Sequence, residues 1–444
     1  MGRYRILILA LAWALAVPAF AGPPPIYQGV ASCAGSTCHG RAQGNGAVVR
    51  QDELAHWQDL SSQGGAHSRS YAALASPRGT KIAAALGLGP ATAAPACLGC
   101  HATAPPVAQR GAQFRLADGV GCESCHGASG PWIASHYAVR GTHADNVAHG
   151  LIALDRPSVR AGVCLDCHYG AATPGHFVTH QMMAAGHPRV SFELDLFSAL
   201  EQHWNDTGSY AARKGKPDHL RLWAVGQAEA VRRSVTLYGV PALRTQGSFP
   251  EFTFFDCHSC HRQIDDDPAR AKGFETNPAR PIPFGTPPFN DENFILLSAA
   301  ARVLVPAAAA DFDNAARGFH AAIGSGRAAD AAANRLATAA DRLIAAIDRA
   351  PARPDAAFDV VAAIAANATT PRYTDYTGSV QAVMGLDTLL NALVGEGQIT
   401  VGAAAGIRGS LGRAYAAVKA PNAFAPAAFR AALGDAAHAI GALR

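Results

Sequence analysis

Every cysteine of this chain belongs to a short motif that ends in histidine. Four motifs have the form C-x-x-C-H, and a fifth is wider, C-x4-C-H. Together they use all ten cysteines. The cysteines are Cys33, Cys38, Cys97, Cys100, Cys122, Cys125, Cys164, Cys167, Cys257 and Cys260, and the histidines that follow them are His39, His101, His126, His168 and His261.

Two thiols followed by an imidazole at this spacing form the attachment signature of c-type haem. The thiols bond to the vinyl groups of the porphyrin, and the histidine binds the iron. Disulfides and zinc sites use paired cysteines as well, but neither explains a histidine after every second cysteine. The sequence therefore predicts five covalently attached haem c groups and one-electron redox chemistry.

The second axial ligand of each iron decides between electron transfer and catalysis. A second histidine gives a low-potential electron carrier, methionine raises the potential, and an open position permits chemistry on a small molecule. Besides the five histidines that end the motifs, residues 22–262 contain eleven histidines, enough for five distal ligands. They are His56, His67, His136, His143, His149, His176, His180, His187, His203, His219 and His258.

The first residues have the pattern of a secretory signal peptide. Arg3 and Arg5 precede an apolar run over residues 6–17, and an A-x-A site ends at Ala21. This predicts a cleaved signal peptide at 1–21. An uncleaved anchor is the alternative, but the run is short for a membrane span. We expect export to a bacterial periplasm and no membrane span in the mature chain.

Charge and composition divide the rest of the chain. The formal net charge of +4 is offset by the propionates of the predicted haems, so nothing favours nucleic-acid binding. Residues 22–262 hold all the cysteines and predict a pentahaem domain with short helices and little regular structure. Residues 263–290 are rich in proline and glycine and predict a linker.

Residues 291–444 predict a haem-free, Ala-rich helical bundle. Apolar residues such as Leu297, Leu336, Leu343 and Leu390 belong to runs with helical spacing. Breaks at 306, 324–326, 351–354, 371, 395–397 and 421 divide this part into five to seven helices. The predicted fold class is therefore mainly α, and the bundle is expected to serve packing or interaction.

Three stretches resemble the multihaem cytochromes of the cytochrome c-554 type, a group related to the haem cores of hydroxylamine oxidoreductase and pentahaem nitrite reductase. They are residues 118–127, residues 185–194 and the His203-Trp204 pair. The resemblance covers about residues 27–262. It implies stacked haem pairs, mostly bis-histidine ligation and electron shuttling between periplasmic partners. It also suggests the distal ligands, without assigning each to a haem: His67, His136, His180, His187 and His203.

The chain departs from its relatives in two ways. It has five motifs where the tetrahaem type has four, and it lacks the C-x-x-C-K motif of the nitrite reductases. We expect an electron carrier whose partners are periplasmic or membrane-bound redox proteins. A reductase of a small nitrogen or sulfur compound at one five-coordinate haem, and a polymerising conduit, are the alternatives. No catalytic residue is assigned.

Overall fold

The computed structural model describes residues 25–44, 49–189, 191–205, 211–212, 215–261, 280–370 and 376–444. The predicted signal peptide and residues 263–279 of the predicted linker lie outside the described residues. The described chain is mainly helical, which confirms the predicted fold class. Two short strands, β1 (Thr245–Gln246) and β2 (Phe249–Pro250), form an antiparallel ribbon.

Short helices joined by turns make up most of the cysteine-rich part. They are α1 (Glu53–Trp57), α2 (Ser70–Leu74), α3 (Pro77–Ala85), α4 (Pro95–His101), α5 (Cys122–His126), α6 (Ile133–His136), α7 (His143–Ala148), α8 (Pro157–His168), α9 (His180–Ala184) and α10 (Leu194–Leu200). Single 3-10 turns occur at Val30–Ser32, Gln63–Gly65, Val107–Gln109, Leu116–Asp118, Phe252–Phe254 and Cys257–Ser259. Helices this short are marginal alone, so tertiary contacts must stabilise them.

The longer helices follow. They are α11 (His219–Tyr238), with the one-turn α12 (Pro241–Arg244), and then α13 (Glu292–Leu304), α14 (Pro306–Ala322), α15 (Arg327–Arg349), α16 (Ala356–Ala368), α17 (Tyr376–Gly395), α18 (Val401–Ala417) and α19 (Pro426–Gly441). A 3-10 turn at Pro421–Ala423 precedes α19. The described part of residues 291–444 thus has seven α-helices, within the predicted range.

Helix α11 packs on both parts of the chain. Leu222 and Ala230 form a small cluster with Leu165 of α8. Trp223 and Val231, both fully buried, belong instead to the large core that α13–α19 share. Because one helix contributes to both clusters, the cysteine-rich part and the helical bundle are held against each other.

The bundle core consists of the apolar residues that the helical spacing singles out. Leu297, Leu336, Leu343 and Leu390 are each 0% exposed. Burying one such side chain fully stabilises a fold by about 1.5–3 kcal/mol. Among the described helices, none combines the length and the apolarity that crossing a membrane requires.

Predicted breaks coincide with helix boundaries. Pro306 is the first residue of α14, where its missing N–H leaves no intrahelical hydrogen bond unmade. Gly324 and Gly326, between α14 and α15, have φ of 81° and 58°, a region that favours glycine over other residues. The chain therefore turns where its local chemistry predicts.

Buried polar contacts join α10 to the bundle. The Glu193 carboxylate accepts hydrogen bonds from two backbone N–H groups at the start of α10, at 2.8 and 2.7 Å. It also accepts one from Thr388 Oγ1 of α17, at 2.8 Å. Gln381 of α17 donates to the Phe192 carbonyl at 3.1 Å. Residues 192–193 are thus fixed by the bundle.

Candidate metal centres

The five motifs define five sites, numbered in chain order. Site 1 is residues 33–39, site 2 residues 97–101, site 3 residues 122–126, site 4 residues 164–168 and site 5 residues 257–261. The structure describes all five motifs in full.

At sites 2, 3 and 4 the motif forms the end of a helix. Helices α4, α5 and α8 end at His101, His126 and His168. Since residues i, i+3 and i+4 of a helix share one face, the two cysteines and the histidine of each motif project to the same side. Asp166, inside the site 4 motif, forms an ion pair with Arg233 of α11. That contact fixes the motif to the long helix.

Site 1 reaches its geometry with a turn instead of a helix. The His39 N–H donates to the Cys33 carbonyl at 3.2 Å, which closes the wider loop. Gly40 follows, and a Cβ on it would lie 2.0 Å from the Ala34 carbonyl oxygen. This close approach requires glycine, because no side chain fits there.

Each motif histidine faces one histidine from outside the motifs. The five partners are the five histidines that the family resemblance suggests as distal ligands. The ring centroids are 5.9 Å apart for His39–His136, 6.2 Å for His101–His187, 6.3 Å for His126–His203, 6.0 Å for His168–His67 and 6.2 Å for His261–His180.

These distances fit an iron ion held between two imidazoles. An iron bound to two imidazole nitrogens at about 2 Å each sets the ring centroids about 6 Å apart. The observed range, 5.9–6.3 Å, matches that geometry at all five sites. The residues present therefore fit five haem groups with a histidine on each side.

Backbone carbonyls orient three of these histidines. The Nδ1 atom of His101 lies 3.0 Å from the Ser70 carbonyl oxygen. The Nδ1 atom of His187 lies 2.8 Å from the Pro188 carbonyl oxygen, and that of His203 lies 2.9 Å from the Glu201 carbonyl oxygen. A carbonyl only accepts, so Nδ1 must carry the proton. The lone pair then lies on Nε2, where it can bind a metal.

Carboxylates orient two more of the paired histidines. His39 Nδ1 lies 3.0 Å from Glu53 Oε2, and His67 Nδ1 lies 3.1 Å from Glu201 Oε2. The hydrogen bond that His39 donates to Glu53 raises the pKa of His39. A carboxylate on the second nitrogen makes an imidazole a more basic metal ligand. Sequence reasoning missed both glutamates, because their spacing from the histidines carries no signal.

Burial keeps two further ligand candidates, His126 and His168, neutral. It lowers the pKa of His126 to about 4, with a smaller contribution from the charge of His203. It also lowers the pKa of His168 to about 4. Neutral imidazole is the form that binds a metal. Burial likewise raises the pKa of the Cys125 thiol to about 12.

Contacts between motifs give the sites a spatial order. The Cys33 and Cys122 side chains lie close enough to interact, which joins site 1 to site 3. Glu201 joins site 3 to site 4, since its carbonyl accepts from His203 and its carboxylate from His67.

The remaining contacts extend this order to sites 2 and 5. Cys100 Sγ lies 3.9 Å from the Cys167 carbonyl oxygen, which joins site 4 to site 2. Arg189, two residues after His187 of site 2, lies 3.5 Å from Cys257 Sγ of site 5. These contacts link the sites in the series 1–3–4–2–5, which differs from their order along the chain.

One cluster of the described residues also has metal-ligand spacing. The ligand atoms of Cys100, Cys167 and His176 lie within 4.8 Å of one another. A zinc ion there would take one cysteine from each of two motifs and leave His101 and His168 unused. Haem attachment uses every motif residue, so the cluster is better explained by two attachment sites in contact.

The six remaining histidines of the cysteine-rich part make different contacts. His219 Nδ1 lies 2.8 Å from Asp195, His258 Nδ1 lies 2.8 Å from the Pro421 carbonyl and His149 Nδ1 lies 2.7 Å from the Asp145 carbonyl. His56 and His143 lie near aspartates, and His176 lies near Cys167. Within the described chain, none of the six forms a ring pair with a motif histidine.

Comparison with known families agrees with this geometry. Residues 32–127, which include sites 1, 2 and 3, match the family model described as cytochrome c554 and c-prime. The match supports a cytochrome c-554-like multihaem cytochrome, with covalently bound haem c and a role in electron transfer. No curated protein and no solved structure matches the chain.

Proposed function

We propose that the protein is an exported pentahaem c-type cytochrome that carries single electrons through five bis-histidine haems. The observation that carries the proposal is the set of five ring pairs, each joining a motif histidine to a histidine from elsewhere at 5.9–6.3 Å. Bound haem supplies the reversible one-electron chemistry of its iron.

The residues of each site have distinct tasks. The two cysteines would anchor the porphyrin covalently, and the motif histidine and its facing partner would both bind the iron. Groups that accept the Nδ1 proton, such as the Ser70 carbonyl beside His101, fix the orientation of the ring and leave Nε2 free to bind the metal. Two imidazoles on every iron leave no open position for a substrate, which favours a carrier over a reductase.

The order of the sites favours transfer from one end to the other. Sites 1 and 5 are the two ends of this series of contacts, and they contain the two exposed cysteines, Cys38 and Cys260. The cysteines of sites 2, 3 and 4 are buried or half-buried. We propose that redox partners exchange electrons at sites 1 and 5. Those partners are redox proteins of the periplasm or of the membrane facing it, since cytochromes c are commonly exported.

Two measurements on the purified protein test this proposal. The intact mass should exceed that of the processed chain by five haems. The EPR spectrum of the oxidised protein should contain only low-spin ferric signals, and carbon monoxide should not shift the absorption of the reduced protein. A high-spin signal together with a carbon monoxide shift would contradict the carrier and support a reductase at an open haem.

A further inference from the structure

Site 5 is built from two parts of the chain. Before the motif, Phe255 pairs with Phe289 in an antiparallel bridge. Asp256 N donates to the Pro288 carbonyl at 2.9 Å, and Asn290 N donates to the Phe254 carbonyl at 2.8 Å. Residues 288–290 lead directly into α13, so this pairing brings the first turn of the bundle against the Cys257 motif.

An ion pair lies at this junction. Arg189 Nη2 lies 2.7 Å from Glu292 Oε1 in the first turn of α13. The same guanidinium donates through Nη1 to Cys257 Sγ at 3.5 Å. The Glu292 side chain is 5% exposed and that of Arg189 is 25% exposed. The guanidinium therefore lies between the carboxylate and the sulfur that anchors haem at site 5.

We propose that Arg189, held by Glu292, acts as a fixed positive charge that raises the reduction potential at site 5. This inference rests on the proposed function, because it assumes a haem bound to Cys257. Reduction lowers the charge of the iron centre by one, so a nearby cation favours the reduced state. Local charge and hydrogen bonding around a haem are recognised means of setting such potentials.

The surroundings keep this charge in place. A guanidinium stays protonated in proteins, and the Glu292 carboxylate holds that of Arg189 in place at 2.7 Å. Burial raises the pKa of Tyr169 and Tyr376, which therefore stay neutral.

A second carboxylate makes Arg189 more important. Asp256 is 7% exposed, and its Oδ2 accepts from Ser259 N at 2.9 Å within the motif turn. Without Arg189, site 5 would face two largely buried carboxylates, Asp256 and Glu292. Both would oppose the gain of an electron, so the loss of the arginine should lower the potential.

This assigns a role to the bundle that has no haem motif of its own. Glu292 supplies the partner of Arg189. His258, inside the motif, lies with Nδ1 2.8 Å from the Pro421 carbonyl, and its ring lies 5.3 Å from that of Phe424. The bundle thus holds site 5 through an ion pair and through two contacts of His258.

The test compares two substitutions of one arginine. Arg189→Gln removes the charge, and Arg189→Lys retains it. Arg342→Gln is the matched control, because Arg342 forms an exposed ion pair with Asp311 in the same bundle. The readout is a potentiometric titration of the full chain, followed by absorption and by EPR. We expect Arg189→Gln to lower one of five midpoint potentials, and Arg189→Lys and Arg342→Gln to leave all five unchanged.

Haem content is measured first by intact mass. If the native protein carries fewer than five haems, or shows a high-spin haem, the proposed function fails before any potential is compared. If Arg189→Gln loses a haem, the double variant Arg189→Gln/Glu292→Gln takes its place. This variant removes both charges of the ion pair. Its site 5 potential should drop, but by less than in a protein that keeps both carboxylates without the arginine. Unchanged potentials in an intact Arg189→Gln protein, or an equal drop in Arg189→Lys, would overturn the inference.

Discussion

Glu53 Oε2 lies 3.0 Å from Nδ1 of His39, the motif histidine of site 1. The glutamate side chain is 16% exposed, so water screens this contact only in part. A carboxylate that accepts the Nδ1 proton gives its imidazole anionic character. At site 1 such a ligand favours the more positive, oxidised iron and lowers the reduction potential.

Replacing that carboxylate should raise one potential. In Glu53→Gln we expect a single midpoint potential to move upward, because a neutral amide accepts the Nδ1 proton less strongly. Asp52→Asn is the control, since it removes the same charge from the neighbouring residue, which contacts Arg50 and His56 rather than His39. Equal shifts in the two variants would mean that charge alone acts and that the hydrogen bond does not matter.

Removing a facing histidine should open one site. His67 faces His168 at 6.0 Å, so His67→Gly should leave the iron of site 4 with one protein ligand. We expect a new high-spin EPR signal and one carbon monoxide bound per reduced molecule. His149→Gly is the control, because His149 is exposed and faces no motif histidine within the described chain. A spectrum that stays low-spin in His67→Gly would contradict the pairing.

Local and non-local features differ in how far the sequence predicts them. The five motifs and the helical spacing of residues such as Leu336 and Leu390 are local, so the sequence is enough to identify them. The resemblance suggests five distal histidines, but their assignment depends on the fold. His67 and His168, for example, lie far apart in the sequence and meet beside α10, where Glu201 binds His67 and Phe197 packs on His168. That these residues bind iron stays a prediction.

The charged residues that contact the sites could not be predicted from the sequence. Glu53, Glu201 and the Arg189–Glu292 pair belong to no motif, and ion pairs of this kind are common on protein surfaces. Their importance comes from burial beside a ligand, which only tertiary structure reveals. The predicted linker likewise contains a contact that the sequence does not indicate. Phe289, near the end of this segment, is 0% exposed and pairs with Phe255.

The wider motif at site 1 can be tested by mass. If Cys33 and Cys38 attach a haem, the double variant Cys33→Ser/Cys38→Ser should be lighter by about one haem, and its Soret absorption should fall by about a fifth. The control variant Ser36→Ala, within the same loop, should retain all five haems. An unchanged haem content in the double variant would show that site 1 does not attach haem through these thiols.

Glu193 should make stability depend on pH. Its carboxyl is 1% exposed, and burial, followed by the charge of Asp195, raises its pKa from 4.5 to about 7. Below pH 4.5 the group is protonated whether the chain is folded or unfolded, so it carries no penalty. Between pH 4.5 and 7 the unfolded chain loses the proton while the folded chain keeps it. Stability should therefore fall over this range, by an amount on the order of 3 kcal/mol at most.

Glu193→Gln isolates that contribution, because glutamine stays neutral at every pH. We expect the variant to be less stable overall, since its amide N–H₂ meets backbone donors at the start of α10. Its loss of stability between pH 5 and 8 should nevertheless be smaller than that of the unchanged protein. Thermal unfolding followed by circular dichroism measures both quantities. Asp435→Asn, which removes an exposed carboxylate paired with Arg413, should leave the pH dependence unaltered. The same pH slope in Glu193→Gln as in the unchanged protein would mean that the buried carboxyl does not titrate in this range.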